Sequence, residues 1–252
     1  MAVLFSKLLS RGAKKLTSIQ ANPNRTCSPV VHASSYFVSV PKWNIRLGNQ
    51  KAKRAVLHRY PLENYTFGTK DPQPEEDPSV AARLKRLEND YERDGMRRTV
   101  EAVLVVHQHN HPHVLMLQIA NAFFKLPGHY LRPGQDEKEG LQQILNERLG
   151  PPDPKDWAKE PEWIIGECLS TWWRPNFESY MYPYIPAHVT KPKEKKMLYL
   201  VHLPPHKVLS VPKNMKLLAV PLFEVYDNSN RYGAQLSAIP HLLSRYEFKY
   251  EK

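Results

Sequence analysis

Residues 123–150 constrain the fold of this chain more than any other stretch. Phe123-Phe124-Lys125-Leu126 is a short aromatic and apolar run that reads as a β-strand, and Pro127-Gly128 turns it. A wide loop carrying Pro133-Gly134 follows, and then a helix over Gln135 to Gly150. Asp136 and Glu137 open that helix with negative charge, which suits the positive end of a helix dipole. Leu141, Leu145 and Leu149 recur at near-helical spacing and give it one apolar stripe. Gly150-Pro151-Pro152 stops it.

This strand-loop-helix resembles the Nudix box. That pattern runs Gly, five residues, Glu, seven residues, Arg-Glu, an apolar residue, any residue, Glu-Glu, any residue, Gly. Laid on residues 129–150, the first Gly becomes His129 and the first Glu becomes Gln135. The Arg-Glu pair becomes Gln143-Ile144, and the Glu-Glu pair becomes Glu147-Arg148. Of the charged positions and glycines, Glu147 and Gly150 remain. Nudix hydrolases hold Mg²⁺ against a diphosphate with carboxylates on one helical face. A hard cation of that kind wants several oxygen ligands. Here a single box carboxylate stands beside the cationic Arg148, so the scaffold is expected without a metal site, a cofactor or catalysis.

The charge of the chain is unevenly spread. The formal net charge is +11, but residues 1–62 hold eleven of the 36 Lys and Arg and no acid. The remaining 25 bases face 25 acids in residues 63–252, so the body is formally neutral behind a basic N-terminal arm, residues 1–59. The arm has three readings. Met1 to Ser18 mixes Val3, Leu4, Phe5, Leu8 and Leu9 with Lys7, Arg11, Lys14 and Lys15, as an organellar transit peptide does. Lys51-Ala52-Lys53-Arg54 suits nuclear import or a nucleic-acid patch. A solvated tail without function is the plainest of the three. No apolar run reaches membrane-spanning length, and no membrane partner is expected. Cys27 and Cys168 lie far apart without metal-type spacing, the pattern of reduced thiols in an intracellular protein.

Order is expected to begin near Tyr60, with residues 60–95 forming a segment and a helix that pack on the main domain. In the helix, Ser79 is the cap, Val80, Leu84, Leu87 and Tyr91 are the buried stripe, and Gly95 is the stop. The main domain is expected over residues 96–225. Thr99 to His107 and Val114 to Ile119 read as a hairpin turned at Asn110-His111-Pro112. Pro151 to Pro161 reads as a linker, Trp163 to Trp173 as a strand, and Met197 to Leu203 and Leu217 to Phe223 as further strands or edges. Leu236 to Leu243, within 226–252, reads as a C-terminal helix interrupted by Pro240. His107, His109, His111 and His113 alternate along extended chain, which suggests zinc. They straddle a Pro turn, however, and no Cys or acid completes a tetrahedral set, so exposed turn histidines are the favoured reading. Residues 172–186 are dense in Trp, Tyr and Pro, which suits either a rigid contact surface or a loop packed on its own domain.

Longer strings narrow the resemblance. They include Tyr-Pro-Leu-Glu-Asn-Tyr-Thr-Phe-Gly-Thr-Lys at 60–70, Gly-Met-Arg-Arg-Thr-Val-Glu at 95–101 and Phe-Phe-Lys-Leu-Pro-Gly at 123–128. Trp-Trp-Arg-Pro-Asn-Phe-Glu at 172–178, Tyr-Pro-Tyr-Ile-Pro-Ala-His at 182–188 and Pro-Leu-Phe-Glu-Val-Tyr-Asp-Asn at 221–228 extend the match. From about Tyr60 to the C-terminus the chain is similar to the small, Nudix-fold subunit of pre-mRNA cleavage factor Im, the cleavage and polyadenylation specificity factor subunit 5 family. The resemblance implies an α/β/α Nudix sandwich with a mixed sheet, a homodimer, and nuclear binding of single-stranded RNA bearing UGUA without hydrolysis. It also implies a larger partner subunit with an RNA-recognition motif, and contacts with poly(A) polymerase and the nuclear poly(A)-binding protein.

The family's RNA pocket carries over by residue. Phe123 would stack on a base while the backbone from Ala122 to Phe124 reads base edges, as sequence-specific single-strand readers do. Glu75 and Arg83 would contact the guanine and its neighbour, Glu101 would accept from a uracil, and Tyr232-Gly233 would close over the final adenine. Arg174, Tyr182 and Tyr184 would meet the larger subunit. Plainer readings stand beside these. Phe123 and Phe124 point to opposite faces of a strand, so at least one belongs to a core. Glu75 and Arg83 could form a solvated pair, whereas Glu101 in an apolar strand needs a partner or an exposed face. The chain departs from the family at His129, Gln135 and Gln143, inside the box, which bears on hydrolysis and on binding of diadenosine polyphosphates. A nucleotide-diphosphate hydrolase would need Glu147 with Asp136 or Glu139, and Glu139 lies two turns away, about 12 Å along the helix. A dimeric scaffold without RNA binding is the third function class.

Overall fold

The computed structural model describes residues 54–74, 77, 79–120 and 123–252. The arm motifs at 1–18 and 51–53, and the expected RNA contacts Glu75 and Ala122, lie outside these. In chain order the elements begin with β1 (Ala55–Arg59), β2 (Tyr65–Lys70) and α1 (Val80–Asp94). Next come β3 (Arg97–Gln108), β4 (His111–Ile119), β5 (Phe123–Lys125) and β6 (Gly128–Tyr130). Then follow α2 (Glu137–Leu149), α3 (Pro154–Trp157), β7 (Ile164–Arg174), β8 (Glu194–His202), β9 (Lys207–Pro212) and β10 (Met215–Pro221). The chain closes with α4 (Leu222–Val225), α5 (Ser229–Ser237), α6 (Ile239–Leu243) and β11 (Tyr246–Tyr250).

The central sheet is mixed, in the order β10-β4-β3-β8-β7, with β5 added to β4 and β6 added to β3. Strand β3 runs parallel to β8 and antiparallel to β4 and β6. Its eight consecutive buried residues, Thr99 to Val106, follow from a sheet covered on both faces, where a strand reads as a continuous apolar run. On one face Val100, Ala102, Leu104 and Val106 pack with Leu141, Leu145 and Leu149 of α2. On the other, Val103 and Val105 pack with Val225, Tyr232, Leu236 and Leu243 from α4, α5 and α6. The result is the expected three-layer α/β/α sandwich, with α2 on one face beside the small β2–β9 sheet, whose Tyr65, Leu209 and Val211 join the same core. Burying each such Leu or Val contributes roughly 1.5–3 kcal/mol. Among the described residues no helix is long and apolar enough to cross a membrane.

Four local expectations are corrected. Order begins earlier than Tyr60, because β1 lies within the span assigned to the arm and pairs in parallel with β11. Leu57 enters the second core, and Arg59 is held between the rings of Phe248 and Tyr250, at 4.1 and 3.8 Å. The hairpin turns at His109-Asn110, both with positive φ (49° and 62°), so His111 and Pro112 already belong to β4. Ser79 does cap α1, accepting from the Ala82 N–H at 3.1 Å, and Gly95 ends it. Of its expected stripe, however, only Leu87 is buried, and Val80 is 76% exposed. The helix stands off from the sheet instead of lying on it. Pro240 starts α6 instead of interrupting a longer helix, since a proline in the first turn forfeits no helical hydrogen bond. The chain then ends in the strand β11.

Removing residues 1–59, or substituting Leu57→Ala, is expected to lower the urea midpoint of unfolding. The point substitution should cost about 2–5 kcal/mol, as for other buried leucines. An unchanged midpoint would show that β1 carries no stability.

Candidate nucleic-acid interface

A cleft of about 640 Å³ opens between α1 and the edge formed by β3, β5 and β6. Arg83, Arg86, Lys125, Arg148, Arg174 and Lys196 line it, against Asp77, Glu101 and Glu194. Arg86–Asp77, Arg174–Glu194 and Lys196–Glu101 are ion pairs, and the six cations leave the lining with a positive balance. The helix is tied at its base by Arg86, which donates to Asp77 from Nε at 2.9 Å and from Nη2 at 2.7 Å. Tyr91 adds an edge contact with Phe177, the ring centroids 5.9 Å apart. Arg83 stays exposed on the cleft wall.

Glu101 sits at the centre. It lies on β3 with 8% exposure, and both carboxylate oxygens are engaged. Lys196 Nζ donates to Oε1 at 2.7 Å and Gln235 Nε2 donates to Oε2 at 2.7 Å. The partner that a buried carboxylate requires therefore comes from β8 on one side and α5 on the other. Gly128 crosses directly over it: a Cβ there would stand 2.2 Å from the Val100 carbonyl oxygen and 2.7 Å from Glu101 Cα. Any larger residue would force β6 away from Glu101.

The aromatic corner lies beside the cleft. Strand alternation separates the two phenylalanines as expected. Phe124 is half-buried, with its ring 4.8 Å from that of Tyr232 and Arg231 5.7 Å from its face. Phe123 is 71% exposed. It pairs with Ile119, a cleft residue, and so stands at the rim. Tyr232 is buried, its hydroxyl donating to Glu224 Oε1 at 2.6 Å, so it supports Phe124 from behind. Gly233 is exposed and kinks α5 with φ +79°, a backbone region that costs glycine little. Gln235 links this corner to Glu101.

Arg174 lines the cleft and also bonds the segment that carries the aromatic surface. Its Nε donates to Glu194 Oε2 at 2.8 Å and its Nη1 donates to the Glu178 carbonyl. Glu194 also accepts from Thr99 Oγ1 at 2.7 Å. Burial pushes the Glu194 carboxyl upward, but Arg174, Lys196 and these hydrogen bonds together hold it below its ordinary 4.5. Tyr182 and Tyr184 are exposed, their rings 5.8 Å apart, on a segment bridged to β7 by two backbone hydrogen bonds between Trp173 and Tyr182. Tyr180 and Ile185 extend that exposed apolar surface.

On α2, Gln135 Nε2 donates to Gln143 Oε1 at 3.3 Å, and Gln143 Nε2 donates to Glu147 Oε1 at 2.9 Å. Asp136 Oδ2 caps the helix, accepting from the Lys138 and Glu139 N–H groups. Lys70 Nζ donates to the Glu147 and Gly150 carbonyls at the other end, and burial followed by the nearby Arg148 brings its pKa down to about 8. The histidines are separately engaged: His107 Nε2 meets the Glu251 carbonyl at 2.8 Å and His113 Nδ1 meets the His111 carbonyl at 2.9 Å. Among the described residues no three His, Cys, Asp or Glu are placed to share a metal ion.

Lys196, Gln235, Lys125 and Arg86 were not singled out from the sequence. Lys196 reaches Glu101 through the β3–β8 register, a pairing across 95 residues that leaves no local signal. Arg86 had one: it stands three residues after Arg83 on the same helix face.

The depressed pKa of Glu194 fixes a pH dependence. Its contribution to stability is full above 4.5 and is lost as pH falls through the lower folded value. Glu194→Gln is expected to cost about 3–5 kcal/mol at pH 7, because it leaves the mostly buried Arg174 without its anion. Urea unfolding of both proteins from pH 7 to pH 3 should show the difference shrinking toward low pH. A constant difference would assign the loss to packing.

The NUDIX_2 family, described as nucleotide hydrolase, matches residues 55–246. The pre-mRNA cleavage factor Im 25 kDa subunit 2 of Arabidopsis thaliana is 55% identical over 197 residues, which cover 78% of this chain and 97% of that protein. The cleavage and polyadenylation specificity factor subunit 5 of Dictyostelium discoideum is 47% identical over 187 residues, covering 74% and 92%. The pre-mRNA cleavage factor Im 25 kDa subunit 1 of Arabidopsis thaliana is 46% identical over 193 residues, covering 77% and 86%. With a Nudix sandwich and relatives this similar over nearly their whole length, the chain belongs to the family of cleavage factor Im 25 kDa subunits, also called cleavage and polyadenylation specificity factor subunit 5.

Proposed function

We propose that this protein is a non-catalytic RNA-binding subunit of the nuclear machinery that cleaves and polyadenylates pre-mRNA, and that it recognises UGUA as a homodimer. The single observation that carries this reading is Phe123, a large apolar side chain left 71% exposed at the rim of a cationic cleft. Leaving such a ring in water forgoes roughly 1.5–3 kcal/mol, which a stacked base returns. Phe124 and Tyr232 hold the ring's strand in place from behind. Arg83 stands on the cleft wall and Glu101 on its floor, where hydrogen bonds to base edges would give sequence preference. Glu75 and the backbone at Ala122 complete the proposed contact set, with Gly233 leaving room for the last base.

The box region favours binding over hydrolysis. Amides occupy the Gln135 and Gln143 positions, one of them holds Glu147 Oε1, and Asp136 is committed to capping α2. The cationic walls also suit a diadenosine polyphosphate as a bound ligand. The exposed surface of Tyr180, Tyr182, Tyr184 and Ile185 is the proposed seat of the larger subunit with its RNA-recognition motif. Arg174 would support that surface from the cleft side through its bond to the Glu178 carbonyl. Poly(A) polymerase and the nuclear poly(A)-binding protein are further proposed contacts. In this reading the body of the protein acts in the nucleus.

Fluorescence-anisotropy titration with a short UGUA RNA and a scrambled control tests this function. The expected outcome is UGUA-dependent binding that Phe123→Ala weakens by about 1–3 kcal/mol, the worth of one stack. Equal binding of both RNAs with a steep salt dependence would assign binding to the basic arm alone. No binding at all would leave the scaffold reading.

A further inference from the structure

We infer that the RNA path continues past the UGUA cleft into a second pocket that takes one flanking nucleotide of the same strand. This rests on the RNA-binding function proposed above. The pocket, about 280 Å³, lies at the C-terminal end of α1. That is near the low end of ligand-sized clefts, roughly 300–1,000 Å³, and suits a single nucleotide.

The two hollows are successive parts of one furrow. Each bordering element contributes to the cleft and then, a few residues along, to the pocket. Helix α1 gives Arg83 to the cleft and Tyr91 to the pocket. Strand β3 gives Thr99 and then Arg97, while the chain entering β8 gives Glu194 and then Lys193. The β6 edge gives His129 to the cleft and Arg132 to the pocket, with Tyr130 as the wall common to both. The step from Arg83 to Tyr91 is eight residues, about 12 Å along the helix.

The pocket's chemistry matches a nucleotide. The Arg97 guanidinium lies 4.4 Å over the Tyr130 ring, which leaves its outer plane available for a base. Lys193 Nζ sits 3.9 Å over Tyr91. Arg132 is exposed on the loop, and neither Arg97 nor Arg132 is paired with a carboxylate among the described residues. Asp90 and Asp94 are taken by Arg93, at 3.1 and 2.9 Å, and Arg98 is taken by Glu137 at 3.1 Å. Arg97 and Arg132 are thus the lining guanidiniums left for a phosphate. A guanidinium fork meets phosphate oxygens in pairs.

The test is anisotropy with three RNAs, each on the wild-type full chain and on Arg97→Ala/Arg132→Ala. The RNAs are UGUA alone, UGUA with two nucleotides added 5′, and UGUA with two added 3′. One extension is expected to tighten wild-type binding by about tenfold, one modest stack's worth. The double variant should lose that gain while keeping the wild-type affinity for UGUA alone. Arg132→Glu, on an exposed loop, should reverse the gain without touching the fold, which a matching thermal midpoint would check. Equal affinity of the wild type for all three RNAs overturns the inference and leaves UGUA recognition standing. A gain that survives in both variants also overturns it. Failure of UGUA itself to bind better than its scrambled control overturns the RNA-binding function and this inference with it. Free AMP added as competitor should erode the extension's gain and leave the UGUA affinity intact. Competition against UGUA alone would place the mononucleotide in the cleft and overturn the assignment.

Discussion

A carboxylate inside a strand buried on both faces is the constraint around which this molecule is built. Without partners, an ionised Glu101 would cost several kcal/mol after relaxation. Lys196 and Gln235 remove that cost only if β8 is in register with β3 and α5 lies across the sheet, so one side chain ties a strand and a helix to fixed places. Gly128 belongs to the same constraint, because β6 must pass within contact of Glu101. The neighbouring Glu194, shared by Arg174 and Thr99, repeats the pattern one strand away. The cleft floor is therefore rigid and polar in a sheet that is otherwise apolar.

The walls differ in kind from the floor. Helix α1 touches the body through Leu87 and through Tyr91 against Phe177 and Lys193, and leaves Val80 and Leu84 in water. A helix held at a few points can adjust to what enters beneath it. The aromatic corner on the opposite side is firm, because Phe124 and Tyr232 anchor the strand that presents Phe123. One fixed wall and one lightly held wall are a reasonable arrangement for a flexible single strand, whose bases must be splayed before they are read.

Much of this was legible in the sequence where the cause was local. The helix α2, its Asp136 cap and its leucine stripe are set by neighbours within four residues, and they appear where the spacing puts them. Phe123 and Phe124 had to part by alternation, though which one faced outward depended on Tyr232, more than a hundred residues away. Spacing alone misread α1, because a regular apolar stripe does not reveal whether anything lies opposite it. The hairpin turn starts one residue earlier than expected, because His109 and Asn110 take the positive φ and Pro112 is accommodated inside β4. The reach of Arg174 into the cleft could not be seen, since Glu194 is supplied from a different strand. The family resemblance supplied the names of expected contact residues but not Lys196 and Gln235, which hold Glu101.

The pairing of β1 with β11 has a consequence for how the chain is made. Ala55 lies opposite Tyr246, which closes a loop of 191 residues. Every other strand partner of the domain is available to its mate sooner. At roughly 5–20 residues per second of synthesis, β1 waits on the order of 10–40 s for its partner strand to be translated. Through that interval Leu57 and Arg59 have no Tyr246, Phe248 or Tyr250 to pack against, and the second core is open along one edge.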